Sequence, residues 1–322
     1  MTKRPLAAIE NDFKGKDVVS ISQFDRASLE TVFAATGRMK AELAGKRFGA
    51  YLRETTTALM FFEPSSRTFM SFSSAVKRLG GVTLENQNAG TTSSAVKGET
   101  LEDTAKVFSN YADLLVVRHP EVGSVERIAR AASIPVVNAG DGAGEHPTQA
   151  IMDLFTIRER FGSLDGIKGV MTGDLLYGRT VHSILHALCN FNDVTIYLLA
   201  PERLKLPSEM VRSLQSRNLR LIEIASEKDI PADAKFWYWT RVQKERFDDP
   251  EEYNALRNRF IVTPQLMNEK AGHDTILMHP LPRVGEIDER VDVDTRAIYL
   301  TDQIAHGVYA RMALLSLILG KL

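Results

Sequence analysis

Apolar positions along the chain follow two alternating spacings. Compact apolar runs, TALMFF (57–62), DLLVVR (113–118) and IPVVN (134–138), read as buried strands. Between and around them lie stretches at 26–43, 66–79, 100–111 and 124–132 whose apolar residues return every three or four positions, as on a helix. The second of these is well marked: Phe69, Phe72, Val76 and Leu79 share one face, and Gly80-Gly81 supplies the stop. The later half repeats the plan with GVMTG (169–173), VTIYLL (194–199), RLIEI (220–224), KFWYW (235–239) and TILMH (275–279), and with helices at 148–161, 178–190 and 207–217. This alternation predicts an α/β protein of two doubly wound domains, each a mainly parallel sheet flanked by helices. The expected boundary puts 1–147 in the first domain and 148–302 in the second. The stretch 303–319 is apolar on nearly all sides and predicts a buried helix, whose docking place periodicity does not give.

Open α/β sheets gather ligand groups at the carboxyl ends of strands. The polar clusters of this chain sit there: SSRT after TALMFF, RHP after DLLVVR, GDGAGEHPTQ after IPVVN, TRVQKER after KFWYW and HPLPR after TILMH. Composition narrows what they meet. With 322 residues, 25% charged and a net charge of −1, the chain offers no basic face for nucleic acid and no polybasic membrane patch. An anion must therefore be recognised by a local cluster. Cys189 is the single cysteine, which excludes internal disulfides and cysteine-rich metal sites and suits a reducing compartment. The opening MTKRPLAAIENDF lacks the apolar stretch of a secretory signal, and MALLSLIL (312–319) is far shorter than the ~20 residues of a membrane helix. The expectation is a soluble, cytoplasmic protein.

Ser65-Ser66-Arg67-Thr68 places three hydroxyls and a guanidinium, with no carboxylate, in four residues. A helix cap needs one such hydroxyl. A phosphate cradle uses the free amides, the positive helix end and the side-chain donors together. Both readings stand on the residues, although the cap leaves three of the four unexplained. Lys97, in TTSSAVKGETLEDT (91–104), reads as an exposed lysine of a solvated loop. Arg118 ends its strand either as a surface charge or as a second cation for the same anion. The glycines of NAGDGAGEHPTQ (138–149) are spaced G-x-G-x-G, not as a dinucleotide fingerprint, and serve positive φ and close backbone approach. His146 and Gln149, at a helix start, offer an imidazole and an amide to a carbonyl or amide.

GDLLYGRT (173–180) nearly spells a nucleotide phosphate loop, but Arg179 stands where its lysine belongs, a replacement that is not conservative. An arginine opening a helix suits a carboxylate. His182 and His186 have metalloprotease spacing, yet Ser183 occupies the place of the glutamate base, so no metal is expected. Arg241 and Gln243 alternate along one extended face and reach one ligand. In HPLPR (279–283), Pro280 and Pro282 hold Leu281 in an extended turn whose carbonyls accept from an amine.

Taken in order, FFEPSSRT, SSAVKGETLEDT, VVRHP, NAGDGAGEHPTQA, GDLLYGRTVHS, TRVQKERF and MHPLPRVGEI resemble the motifs of the aspartate carbamoyltransferases, within the aspartate/ornithine carbamoyltransferase family. The likeness covers nearly the whole chain. It implies attack of the aspartate amine on the carbamoyl carbon of carbamoyl phosphate, an early step of pyrimidine biosynthesis, with no cofactor. Motif by motif it implies that Ser65, Ser66, Arg67, Thr68 and Arg118 hold the phosphate. Thr68, Arg118 and His146 polarise the carbonyl, while Gln149, Pro280 and Leu281 orient the carbamoyl amino group. Arg179 and Arg241 bind the two carboxylates of aspartate, helped by Gln243. The resemblance also implies a homotrimer in which Ser93 and Lys97 enter the neighbouring site, the possibility of separate regulatory chains, and a final segment, 303–322, that returns to the first domain.

Many family members read S-T-R-T-R-x-S-F-E, where this chain has Ser66, Phe69 and Ser73, and Val96 replaces a position that is often polar. Two rivals stay open. Ornithine carbamoyltransferases share the cradle but typically carry cysteine in H-C-L-P, where Pro280 stands here, and Arg241 would repel the ornithine side-chain ammonium. A catalytically silent relative has no need of the near-complete set of donors.

Overall fold

In this computed structural model, which describes residues 6–45, 49–92, 98–244, 247–257 and 259–322, each named strand runs parallel to its sheet neighbours. Parallel strands need a crossover between them and cover on both faces. The chain accordingly alternates: α1 (Arg26–Ala44), β1 (Thr56–Phe61), α2 (Ser66–Arg78), β2 (Val82–Asn86), α3 (Ala89–Thr92), α4 (Leu101–Phe108), β3 (Leu114–His119), α5 (Ser124–Ala131), β4 (Val136–Asp141) and α6 (Pro147–Phe161). It continues with β5 (Lys168–Thr172), α7 (Arg179–Leu188), β6 (Thr195–Leu199), α8 (Ser208–Gln215), β7 (Arg220–Glu223), β8 (Phe236–Trp239), α9 (Pro250–Leu256), α10 (Pro264–Lys270), β9 (Ile276–Met278) and α11 (Asp302–Ile318). Two units result. One comprises Met1–Phe155 with Ala305–Leu322, the other Thr156–Ile304, so the divisions fall inside α6 and α11.

The first unit holds a sheet of order β2-β1-β3-β4. Ala58, Met60, Leu115, Val117 and Val136 meet Val125 and Ile128 of α5 in one apolar cluster. Phe61 meets Phe69 of α2 edge-on at 5.2 Å. Phe69, Phe72, Val76 and Leu79 are buried as their spacing predicts. The helix ends where expected: Gly80 takes φ 79, and the N–H groups of Gly80 and Gly81 donate to the carbonyls of Lys77 and Val76. Sequence reading missed β2, an edge strand whose Val82 and Leu84 are exposed among polar neighbours and so carry no apolar run. The residues of α11 from Ala305 pack in this unit. There the buried Arg311 lies over Phe72 at 5.0 Å and donates to Ser71 Oγ at 2.9 Å. Burial pulls the Arg311 guanidinium down to about 10.

The second unit holds a sheet of order β7-β6-β5-β8-β9. The FWYW of β8 is buried throughout, and Trp237 and Trp239 pack with Val170, Leu277, Met267 and Tyr299. Two helices, α9 and α10, lie in stretches where the sequence showed no clear period. Both are seven residues long and open on proline behind a capping side chain, Asp249 or Thr263. They are placed by their caps more than by an apolar face.

At the end of β5 the backbone of Gly173 takes φ 107, and an added Cβ would lie 2.0 Å from the Thr240 carbonyl oxygen. Neither atom has a flexible side chain to yield. Gly173→Ala should therefore cost more than about 2 kcal/mol, read as a lowered urea midpoint at unchanged slope.

Candidate active site

Both sheets reverse their winding once. In the first the reversal lies between β1 and β3, in the second between β5 and β8, and such switch points open a crevice at the carboxyl edge. In the first unit Phe61 pairs with Arg118, and His119 with Asp141. That register brings together the start of the EPSSRT loop, Arg118 and the 141–146 loop. Ser65 occupies the N-cap of α2 yet makes no side-chain cap bond, and no acidic residue lies in the first turn. The capping reading therefore fails for Ser65. Ser66 and Arg67 are exposed at the helix start, and Thr68 is buried.

Arg118 carries Glu63 Oε1 on Nη2 at 2.5 Å and donates from Nη1 to the Ala139 carbonyl at 3.2 Å. An anion drawn to this guanidinium competes with the Glu63 carboxylate. The 141–146 loop is pinned by side chains. Asp141 accepts from the backbone N–H groups of Glu145 at 2.7 Å and Gly123 at 3.0 Å. Glu145 in turn accepts from Ile21 N–H at 2.8 Å and from the Ser20 hydroxyl. Gly142, at φ 54, passes so close to Pro120 that a Cβ would meet its carbonyl oxygen at 2.4 Å. The loop delivers His146, 3% exposed, to the start of α6. One turn on, Gln149 donates from Nε2 to both oxygens of the fully buried Asp153, at 3.2 and 3.1 Å. Asp153 thereby fixes the orientation of the amide, with its NH2 group toward the carboxylate and its oxygen as the remaining acceptor.

The departures from the family pattern are absorbed locally. Phe69 takes the edge-on contact with Phe61, and Ser73 donates to Glu85 at 2.7 Å, beside Lys77 and Thr83 on the same carboxylate.

In the second unit Asp174 joins the loops that follow β5 and β8. Its N–H donates to Thr240 Oγ1 at 3.1 Å, its Oδ1 accepts from Tyr177 N–H at 2.9 Å, and its Oδ2 accepts from Gln243 Nε2 at 3.2 Å. Gln243 also donates to the Tyr177 carbonyl at 3.1 Å. Arg179 opens α7 and Arg241 follows β8, both half-buried. After β9, Pro280 and Leu281 continue from the buried His279; the Leu281–Pro282 peptide is cis. The turn is not extended as the flanking prolines suggested: Leu281 takes φ 56, a left-handed conformation that costs a non-glycine residue about 1–2 kcal/mol.

Ser93, Val96 and Lys97 lie outside the described residues. Sequence reading missed Asp153, Asp174 and Glu286, three carboxylates that touch other site residues; their only signal was their place inside or just beyond the quoted motifs. His182 and His186 are not poised as a metal pair: His182 Nε2 donates to the Leu175 carbonyl at 2.8 Å, and His186 Nδ1 lies 3.4 Å from Arg217. Among the described residues no cluster of His, Cys, Asp and Glu could hold a metal ion.

Comparison with known proteins decides the family. The model of the aspartate/ornithine carbamoyltransferase carbamoyl-P binding domain matches residues 16–159, and that of the Asp/Orn binding domain matches 165–318. The chain belongs to the aspartate/ornithine carbamoyltransferase family. Within it, the aspartate carbamoyltransferase catalytic subunit of Methanosarcina barkeri is 44% identical over 308 residues, covering 96% of this chain and 98% of the relative. That of Thermococcus gammatolerans is 43% identical over 312 residues, covering 97% and 100%. A solved aspartate transcarbamoylase from Trypanosoma cruzi, in complex with carbamoyl phosphate and aspartate, superposes with a TM-score of 0.89 at 35% identity, covering 98% and 99%.

Burial pulls the imidazoles of His182, His186 and His279 below their ordinary value of 6.5. The unfolded chain then binds more protons than the folded one around and below that value, so stability rises with pH. It should be fully present above about pH 6.5 and fall as pH drops through the depressed values. Urea midpoints measured from about pH 7 down to pH 5 should decline steadily; a flat profile would contradict these burials. Glu286 does not contribute in this window, because it remains ionised below the ordinary carboxylate value of 4.5.

Proposed function

We propose that this chain transfers the carbamoyl group of carbamoyl phosphate to the amine of L-aspartate, giving N-carbamoyl-L-aspartate and phosphate, an early step of de novo pyrimidine biosynthesis. The observation that carries the reading is the opening of α2 at the β1/β3 reversal. It is a helix N-terminus with hydroxyls and a guanidinium, no acidic residue in its first turn and no Ser65 cap, following a strand whose last residue, Phe61, pairs with Arg118 on the next. Such an arrangement suits a phosphate dianion. The second substrate follows from family membership and from two arginines, Arg179 and Arg241, in the unit that matches the Asp/Orn binding domain.

In this reading residues 1–147 with 303–322 form the carbamoyl-phosphate domain, and 148–302 the aspartate domain. Ser65, Ser66, Arg67, Thr68 and Arg118 hold the phosphate, and Arg118 exchanges Glu63 for it. Thr68, Arg118 and His146 receive the charge that develops on the carbamoyl oxygen. The carbamoyl amino group donates to Gln149 and to the Pro280-Leu281 carbonyls. Arg179, Arg241 and Gln243 hold the aspartate carboxylates. The amine nitrogen bonds to the carbamoyl carbon, the carbon–oxygen bond to phosphate breaks, and the amine proton leaves with phosphate. No protein nucleophile is needed, because positioning and charge stabilisation supply the acceleration. The protein works in the cytoplasm as a homotrimer, each site completed by Ser93 and Lys97 of a neighbouring chain, and regulatory chains are possible partners. Nucleic acid and membrane surfaces are not among the proposed partners, because a net charge of −1 leaves no basic face for either.

Purified protein given carbamoyl phosphate should carbamoylate aspartate and not ornithine. Product with ornithine alone would overturn the acceptor, and none with either would favour a silent relative. Arg67→Ala should lower kcat by roughly 100- to 1,000-fold with the fold intact. Arg241→Ala should raise the aspartate KM by roughly tenfold or more while leaving phosphate binding unchanged.

Inactive Lys97→Ala and Arg67→Ala trimers, dissociated and reassembled together, should regain activity through hybrid sites that carry neither change. Mixtures that stay inactive would count against shared sites.

A further inference from the structure

The turn after β9 is closed by a buried pair that the reaction above does not use. His279 and Glu286 are 1% and 3% exposed, and His279 Nε2 lies 2.7 Å from Glu286 Oε1. The other imidazole nitrogen, Nδ1, accepts the backbone N–H of Leu281 at 2.7 Å. The other carboxylate oxygen, Oε2, accepts the backbone N–H of Val284 at 2.9 Å. The backbone N–H of His279 is itself held by Gln303 Oε1 at 3.0 Å.

A backbone N–H can only donate, so Nδ1 carries no proton and the imidazole proton sits on Nε2, facing the carboxylate. Both ionisations agree with this. Burial, with Arg241 and Arg283 nearby, keeps the imidazole neutral against the pull of Glu286. Burial also pushes the Glu286 carboxyl up, but the donors from His279 and the backbone outweigh it and keep it ionised.

We propose that His279 and Glu286 form a positioning pair for the Leu281 carbonyl. Glu286 fixes the tautomer of His279, and His279 holds the Leu281 N–H and with it the left-handed backbone on which that carbonyl depends. The role rests on the reading that the Leu281 carbonyl accepts from the carbamoyl amino group. Neither residue touches the reacting atoms.

Glu286→Gln tests the pair because it keeps shape and removes charge. If the new amide accepts from Val284, its NH2 group faces Nε2 and drives the imidazole proton to Nδ1, against the Leu281 N–H. If it is turned over, NH2 faces the Val284 N–H instead. Either orientation sets two donors against each other. The expected result is a kcat lowered about 10- to 100-fold, with the Kd for inorganic phosphate within about twofold of the wild type. His279→Asn, whose amide oxygen can replace Nδ1 as acceptor without a tautomer to fix, should keep kcat within about fivefold. Adding Glu286→Gln to it should cost little more, whereas His279→Leu should lose as much as Glu286→Gln.

Wild-type kcat in Glu286→Gln overturns the pair. So does a loss of kcat matched by an equal loss of phosphate affinity, which marks a general structural role. If Glu286→Gln fails to fold, His279→Asn against His279→Leu decides alone, and equal losses in the two overturn the proposal. Wild-type protein inactive on carbamoyl phosphate and aspartate would instead overturn the reading of the site, and this role with it.

Discussion

A parallel strand cannot turn back on itself, and this requirement orders the rest of the molecule. Each strand must be followed by a crossover, the crossovers must cover both faces of the sheet, and every loop that leaves a strand at its carboxyl end must feed the next element. The interior of both sheets is consequently apolar, and polar chemistry is confined to one edge. Where the strand order reverses, between β1 and β3 and between β5 and β8, adjacent loops part to opposite faces and leave room for a ligand. SSRT and Arg118 flank the first of these points. GDLLYGRT and TRVQ flank the second.

Within that frame a single device recurs: a buried carboxylate that orients a neutral polar side chain. Asp153 holds the Gln149 amide, Asp174 the Gln243 amide and Glu286 the His279 imidazole. Each acceptor of negative charge is satisfied by amide or imidazole donors, which leaves the far end of the oriented group with a defined hydrogen-bonding sense. An amide that must distinguish a carbonyl from an amino group gains more from such orientation than from any added charge. The cost is desolvation of an anion, offset at Asp174 and Glu286 by side-chain and backbone donors together and at Asp153 by the Gln149 amide and the charge of Arg311.

The sequence displayed the strands that are buried on both faces, because these are unbroken apolar runs; TALMFF and KFWYW needed no context. It did not display β2, whose exposed edge looks like a loop, or α9 and α10, which are too short to show a period and announce themselves only by a cap followed by proline. The residues proposed for the site were legible for a related reason. Arginines and hydroxyls at strand ends have no packing purpose, so their presence asks for an explanation. Asp174 and Glu286 stood inside quoted motifs and still went unread, since a carboxylate beside arginines looks like a counter-ion until coordinates show it accepting from neutral donors. Asp153 gave less signal still, one turn beyond the last quoted residue and indistinguishable from a polar helix position.

The division of labour between the two units bears on how such a family changes its acceptor. The proposed cradle at α2 lies entirely within the first unit, and Glu63 and Ala139, the partners of Arg118, and Asp153, the partner of Gln149, belong to that unit as well. The residues proposed to hold the acceptor, Arg179, Arg241 and Gln243, belong to the second, as does Asp174, which accepts from Gln243. Aspartate and ornithine differ at the side-chain terminus by the sign of a charge, a carboxylate against an ammonium. Discriminating them therefore needs a change of sign at one or two positions after β8 or β9, with the cradle left as it is. An arginine after β8 favours the dicarboxylic acid and disfavours the ammonium at once, because the same charge supplies the attraction and the repulsion.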